Sequence, residues 1–151
     1  MTETPAEKGN FSAEERAAMK ERAAELRAEV KRASGAQKAA TEEADVLAKI
    51  AQMPDADRKM AERVHAIVTD VAPGLSPKLY YGQPGYAGGG KVVCFFRSGQ
   101  MDKVRYSTFG FSPNAELDSS DGLWPTSYAL LDPSEDAWKQ LGELVTKAAR
   151  A

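Results

Sequence analysis

Apolar side chains recur with a changing period along the chain, and the period marks out the elements. Between Phe11 and Lys38 the only aliphatic side chains larger than Ala are Met19, Leu26 and Val30, set among Ala, Glu, Lys and Arg. Ser12 followed by Glu15 forms a Ser-x-x-Glu capping box and Gly35 supplies a stop, so the pattern predicts a helix from about Ala13 to Ala33. Met19, Ala23, Leu26, Val30 and Ala33 are spaced by four and three residues, but the stripe is too thin to bury much by itself.

Beyond Lys38 the pattern becomes that of a packed domain. Thr41 is placed to cap a short helix carrying Val46, Leu47 and Ile50, which Pro54 stops. Asp55 is placed to cap a second, in which Met60, Val64, Ile67, Val68 and Val71 share one face before Pro73-Gly74 ends it. Lys91 to Arg97 is a short apolar run bounded by charges, as expected of a central strand covered on both faces. Ser98 to Asp102 has hairpin length and Val104 to Phe111 reads as the returning strand. Trp124 to Leu131 is a third β-like run, with Pro125 confining its start to an edge or strand end. Asp132 as cap, Pro133 at the first helical position and Glu135 at the third lead into Trp138, Leu141, Leu144, Val145 and Ala148 on one face. Helices first, strands grouped in the middle and a helix last predict an α+β fold, an antiparallel sheet packed by helices. Absence of strand-helix alternation disfavours a parallel nucleotide-binding sheet.

Composition divides the chain at the same place. Residues 1–41 hold 8 basic and 7 acidic side chains and the remainder 12 and 15, so a net +1 extension precedes a net -3 domain. The expected organisation is a charged, Ala-rich helical extension over 1–40, partly disordered or docked on a partner, and an α+β domain over 41–151. A total charge of -2 argues against a general polyanion binder, so no nucleic-acid partner is expected. No apolar run approaches the ~20 residues of a membrane span, and residues 1–40 lack a secretory core, which gives a cytoplasmic expectation with no membrane partner. One Cys and one His support neither an intramolecular disulfide nor a Cys/His zinc cage.

Candidate chemistry is sparse. Gly85 to Lys91 fits G-x-x-x-x-G-K, but Lys91 opens a strand and no Ser or Thr follows, so a glycine turn is expected and no nucleotide. Cys94 lies within an apolar strand, where burial raises a thiol pKa, and His65 flanks the apolar face of its helix as a boundary residue. With a single His, no hydrolase triad or His-rich metal centre is available, and no catalytic residue is assigned. Two acidic groups could hold a hard cation weakly, Glu42, Glu43 and Asp45 on one side and Asp132, Glu135 and Asp136 on the other. Leu79 to Tyr86 sets Tyr80, Tyr81 and Tyr86 among the turn formers Gly82, Pro84 and Gly85, with Gln83 between them. Such rings suit a pocket or an interface, with Lys78, Lys91 and Arg105 as cationic neighbours.

Residues from about 42 to 151 resemble the YdhG-like family, small bacterial α+β domains described as frataxin-like iron chaperones. The resemblance is carried by Ala72-Pro73-Gly74, by Tyr81-Gly82-Gln83-Pro84-Gly85-Tyr86, by Gly90-Lys91 opening a strand that contains Phe95-Phe96, and by Leu131-Asp132-Pro133. It implies a twisted sheet flanked by helices. It also implies a non-enzymatic protein that holds iron weakly through acidic surface residues and supplies Fe(II) to an iron-sulfur assembly partner. The extension over 1–40 departs from the family, and Tyr81, Gly82, Pro84 and Tyr86 transfer as a structural or pocket signature. Two other readings stand beside iron: a small-molecule or peptide pocket at Tyr80, Tyr81, Gln83 and Tyr86, and an adaptor that docks a partner through the N-terminal helix.

Overall fold

Ala-rich sequence with a capped start propagates helix, and helix α1 runs over Ala13–Ala51 in the structure, a computed structural model that describes residues 12–150. Ser12 Oγ accepts the Glu15 N–H at 3.1 Å, the cap expected there. Gly35 and Thr41, however, are interior helical residues rather than a stop and a cap. Gly35 has none of the positive φ that a C-terminal glycine adopts, and its interior cost of about 1 kcal/mol is outweighed by the Ala, Gln and Lys that follow. The chain's contacts fall into two units, the first ending at Lys38 and the second beginning at Ala39. In the first, Met19, Leu26 and Val30 are all exposed.

The second unit begins on the last turns of α1, where Val46 and Ile50 are buried. Helix α2, Asp55–Val71, buries Met60, Ala61, Val64 and Val68, and Ile67 packs against the same core. Pro54, rather than Asp55, stands at its cap position; Asp55 is the first helical residue and pairs with Arg58 at 3.1 Å.

Five strands follow, β1 Ser76–Tyr80, β2 Gln83–Gly88, β3 Lys91–Arg97, β4 Ser107–Phe111 and β5 Ser127–Leu130. They form one antiparallel sheet in the order β1-β2-β3-β4-β5, so β3 is central. Two-residue turns join the first three strands. Tyr81 and Gly82 have φ of 49° and 76°, and Gly89 and Gly90 have 58° and 81°, the left-handed pairs that a tight hairpin requires. Lys91 thus follows a hairpin turn and opens a strand. The turn residue Tyr81 is 82% exposed.

β4 starts at Ser107, not Val104, and β5 spans Ser127–Leu130 within the predicted run. Helix α3, Glu135–Ala148, is capped by Ser134, whose Oγ accepts the Ala137 N–H at 3.2 Å. Asp132 therefore lies outside the helix, with a φ of 47°, and Pro133 precedes the cap. Ser134 wins because it places a side-chain oxygen beside the first free N–H groups once Asp132 has turned left-handed. Trp138, Leu141, Val145 and Ala148 bury the predicted face. Gly142 lets α3 approach α2: a Cβ there would stand 3.4 Å from Ile67 Cγ2.

The helices' buried side chains cluster with Tyr86, Cys94, Phe96, Phe109 and Phe111. Strand alternation puts Tyr80, Phe95 and Gly110 on the opposite face. There the Phe95 ring lies over Gly110, with Tyr80 packed against it at 5.1 Å between centroids. The domain is α+β, with an antiparallel sheet and its helices gathered on one face.

Candidate functional site

The connection Ser98 to Tyr106 is long because it is pinned from three sides. Ser98 donates its hydroxyl to Asp57 of α2 and its N–H to Gln83 Oε1 of β2 at 2.6 Å. Asp57 Oδ2 also accepts the Gln100 N–H at 3.0 Å, and Gly99 donates to Ser107 Oγ at 3.0 Å. Arg97 grips Asp102 through two hydrogen bonds of 2.6 and 3.1 Å. Buried Asp57 and Gln83 thus hold a loop that a simple hairpin would have made shorter.

Pinned in this way, the loop forms one wall of a cleft of about 860 Å³. The first half of α2 forms the opposite wall, and Leu131, Asp132 and Pro133 close one end. Met60 and Trp138, both buried, supply apolar surface, while Val104 and Leu131 are 54% and 65% exposed at its edge. Charge in the walls is unevenly engaged. Asp55 and Glu62 pair with Arg58 at 3.1 and 3.4 Å, and Asp57 is bound to the loop. Lys59 and Arg105 form no ion pair among the described residues, though Arg105 packs over the Tyr106 ring at 5.1 Å. Arg63 donates to Glu135 at 2.7 and 3.3 Å with its guanidinium carbon 5.6 Å from the Trp138 ring centroid. That pairing raises the Arg63 pKa above its ordinary value and lowers that of Glu135.

Of the residues singled out in the sequence, Arg105 and Asp132 meet at this cleft. Tyr80, Tyr81, Gln83 and Tyr86 do not line this cleft. Tyr80 lies on the sheet face away from the helices, Tyr81 is at a turn, Gln83 and Pro84 are buried, and Tyr86 is wholly within the core. Lys91 is exposed at the start of β3. Of the acidic groups, Glu42, Glu43 and Asp45 sit on α1, Glu135 is taken by Arg63, and Asp136 is exposed in the first turn of α3. Among the described residues no three His, Cys, Asp or Glu side chains converge as metal ligands.

His65 joins helices to sheet. Its Nδ1 lies 3.0 Å from Tyr86 Oη and its Nε2 3.7 Å from Glu43 Oε1. With the neutral ring protonated towards Glu43, Nδ1 accepts the tyrosine hydroxyl. Burial raises the pKa of Tyr86 well above its ordinary value and pushes the Cys94 thiol up to about 12, so both are neutral at physiological pH. Burial also lowers the His65 pKa, against the opposing pull of Glu43. The unfolded chain, with a His pKa of ~6.5, therefore takes up this proton first as pH falls. His65 contributes stability above pH ~6.5 that is lost as pH drops towards the lower folded value. Urea midpoints measured at about pH 7.5 and about pH 5.5 should fall further in the wild type than in His65→Gln. Equal falls would remove His65 from the acid response.

Sequence reading alone passed over Asp57, Arg63 and Gln100. A signal for Asp57 was present: it precedes Met60, Val64 and Val68 by three, seven and eleven residues, which puts an acid on an apolar stripe. No family model matches the chain, and no curated protein or solved structure matches it either.

Proposed function

We propose that the domain is a non-enzymatic binding protein that takes an amphipathic organic anion into the 860 Å³ cleft. One observation carries this reading: exposed Val104 and Leu131 stand beside Lys59 and Arg105, while three of the four acids of the wall are already bound within the protein. Asp132 is the fourth. An apolar body placed on Met60, Val104 and Leu131 leaves water, and an anionic group at the cleft edge meets cations with few competing internal partners. Two left-handed non-glycine residues, Lys103 beside the wall and Asp132 in it, give the cleft its local shape at some conformational cost. The iron delivery implied by the YdhG-like resemblance has no converging ligands among the described residues to support it, whereas the apolar and cationic walls of the cleft support an organic anion.

A naphthalene sulfonate dye tests the reading, because it combines a flat apolar body with a fixed anion. In a Trp124→Phe background Trp138 is the sole tryptophan and reports occupancy from within the cleft. Saturable quenching is expected, weakened about 5- to 20-fold in Lys59→Gln/Arg105→Gln at unchanged thermal stability, as for loss of one or two charge-assisted contacts. Equal affinity in the two proteins would place the dye elsewhere and refute the cleft as the site.

A further inference from the structure

The cleft does not end at Trp138. A second cavity, of about 610 Å³, lies between α2 and α3, and its walls share Arg63 and Trp138 with the first. Ile67, Val71 and Gly142 give it an apolar floor. Where the two cavities meet, Arg63 holds Glu135 in a two-pronged pair, with the guanidinium over the indole. A guanidinium of this geometry is a ready receptor for a carboxylate, and Glu135 already supplies one. The pair is on the surface, with side chains 44% and 80% exposed, so separating it costs little compared with separating a buried pair. Because the partners are 72 residues apart, neither is tied to the other by helix geometry.

We infer that Glu135 is an internal stand-in for the ligand's carboxylate. Resting on the cleft reading above, this deepens it: Arg63 is the specific anion receptor, and an incoming carboxylate displaces Glu135. That exchange joins the two cavities into one groove, which suits an elongated molecule with a single terminal carboxylate. Glu135 then sets the threshold for binding, since every carboxylate ligand competes with it. A neutral ligand of the same shape does not.

Decanoate and decanol, titrated against Trp138 fluorescence in the full chain carrying Trp124→Phe, separate these effects. Expected is about 5- to 10-fold tighter binding of decanoate to Glu135→Gln, with decanol unchanged, as for removal of one competing charge. Arg63→Gln should lose most of the preference for decanoate over decanol, the remainder coming from Lys59 and Arg105, and Glu135→Gln/Arg63→Gln should show no gain over Arg63→Gln. Unchanged decanoate affinity in Glu135→Gln, or an equal gain for decanol, would overturn the stand-in role. If the dye still responds to Lys59 and Arg105, the cleft reading survives that result. If neither the dye nor decanoate perturbs Trp138, both fall together. Thermal melts of the exposed-pair variants should match the wild type, which checks that the fold is unchanged.

Discussion

Gly99→Ala should lower stability by about 3 kcal/mol and abolish ligand uptake by the cleft, one of the two strongest single-residue effects expected in this protein. A Cβ at this position would stand 2.1 Å from Tyr106 O, 2.4 Å from its carbonyl carbon and 2.9 Å from Ser107 N. All three are backbone atoms, so no rotamer change relieves the overlap; the chain itself must move. It cannot move freely. Gly99 donates to Ser107 Oγ and accepts the Val104 N–H at 2.9 Å, while its neighbours Ser98 and Gln100 are bound to Asp57. Displacing Tyr106 and Ser107 shifts the wall of the cleft and the first residue of β4 together. Gly74→Ala is the control, since it would meet nothing within 4 Å and should change stability by less than about 0.5 kcal/mol. Urea unfolding of the three proteins checks the stability, and dye titration checks the cleft. A Gly99→Ala protein as stable as the control would show that the loop is not the close-packed wall described here.

How much of this was legible beforehand follows from the range over which each signal acts. The α2 stripe was readable because a helix repeats its face every three or four residues, and Met60, Val64 and Val68 are buried where the period puts them. The central strand was readable from its composition, and with it the α+β class. Helix ends were harder. Gly35 and Thr41 offered plausible boundaries, but boundary chemistry is worth about 1 kcal/mol and yields to a long run of good helix formers. The first two strands were hidden for a different reason. Tyr80 to Tyr86 looked like one aromatic unit, yet the turn at Tyr81 and Gly82 reverses the chain, and alternation sends Tyr80 and Tyr86 to opposite faces. The cleft was legible only in fragments. Arg105 stood out as a cationic neighbour for the tyrosines and Asp132 as a helix cap and acidic candidate, but their meeting depends on how nine residues of loop are pinned by Asp57 and Gln83, which no local period records.

Removing that pin is the other change of large effect. In Asp57→Ala the Ser98 hydroxyl and the Gln100 N–H lose their acceptor inside the protein, and the expected cost is about 2 to 4 kcal/mol. The same hydroxyl is 3.3 Å from the Met101 N–H, so the loss spreads along the loop. Asp57→Asn keeps a carbonyl oxygen in nearly the same place and gives up only the charge, for which about 1 to 2 kcal/mol is expected. Wild type, Asn and Ala should therefore unfold in urea in descending order of midpoint. Amide exchange locates the effect: Gln100 and Met101 should lose protection in Asp57→Ala at conditions where Val64 and Val68, on the same helix and within the core, keep theirs. If the Ala protein matched the wild type in both measurements, the loop would be held by Gln83 and the Arg97 to Asp102 pair alone. If the Asn protein fell as far as the Ala protein, the negative charge itself, rather than the oxygen acceptor, would be what holds the loop in place.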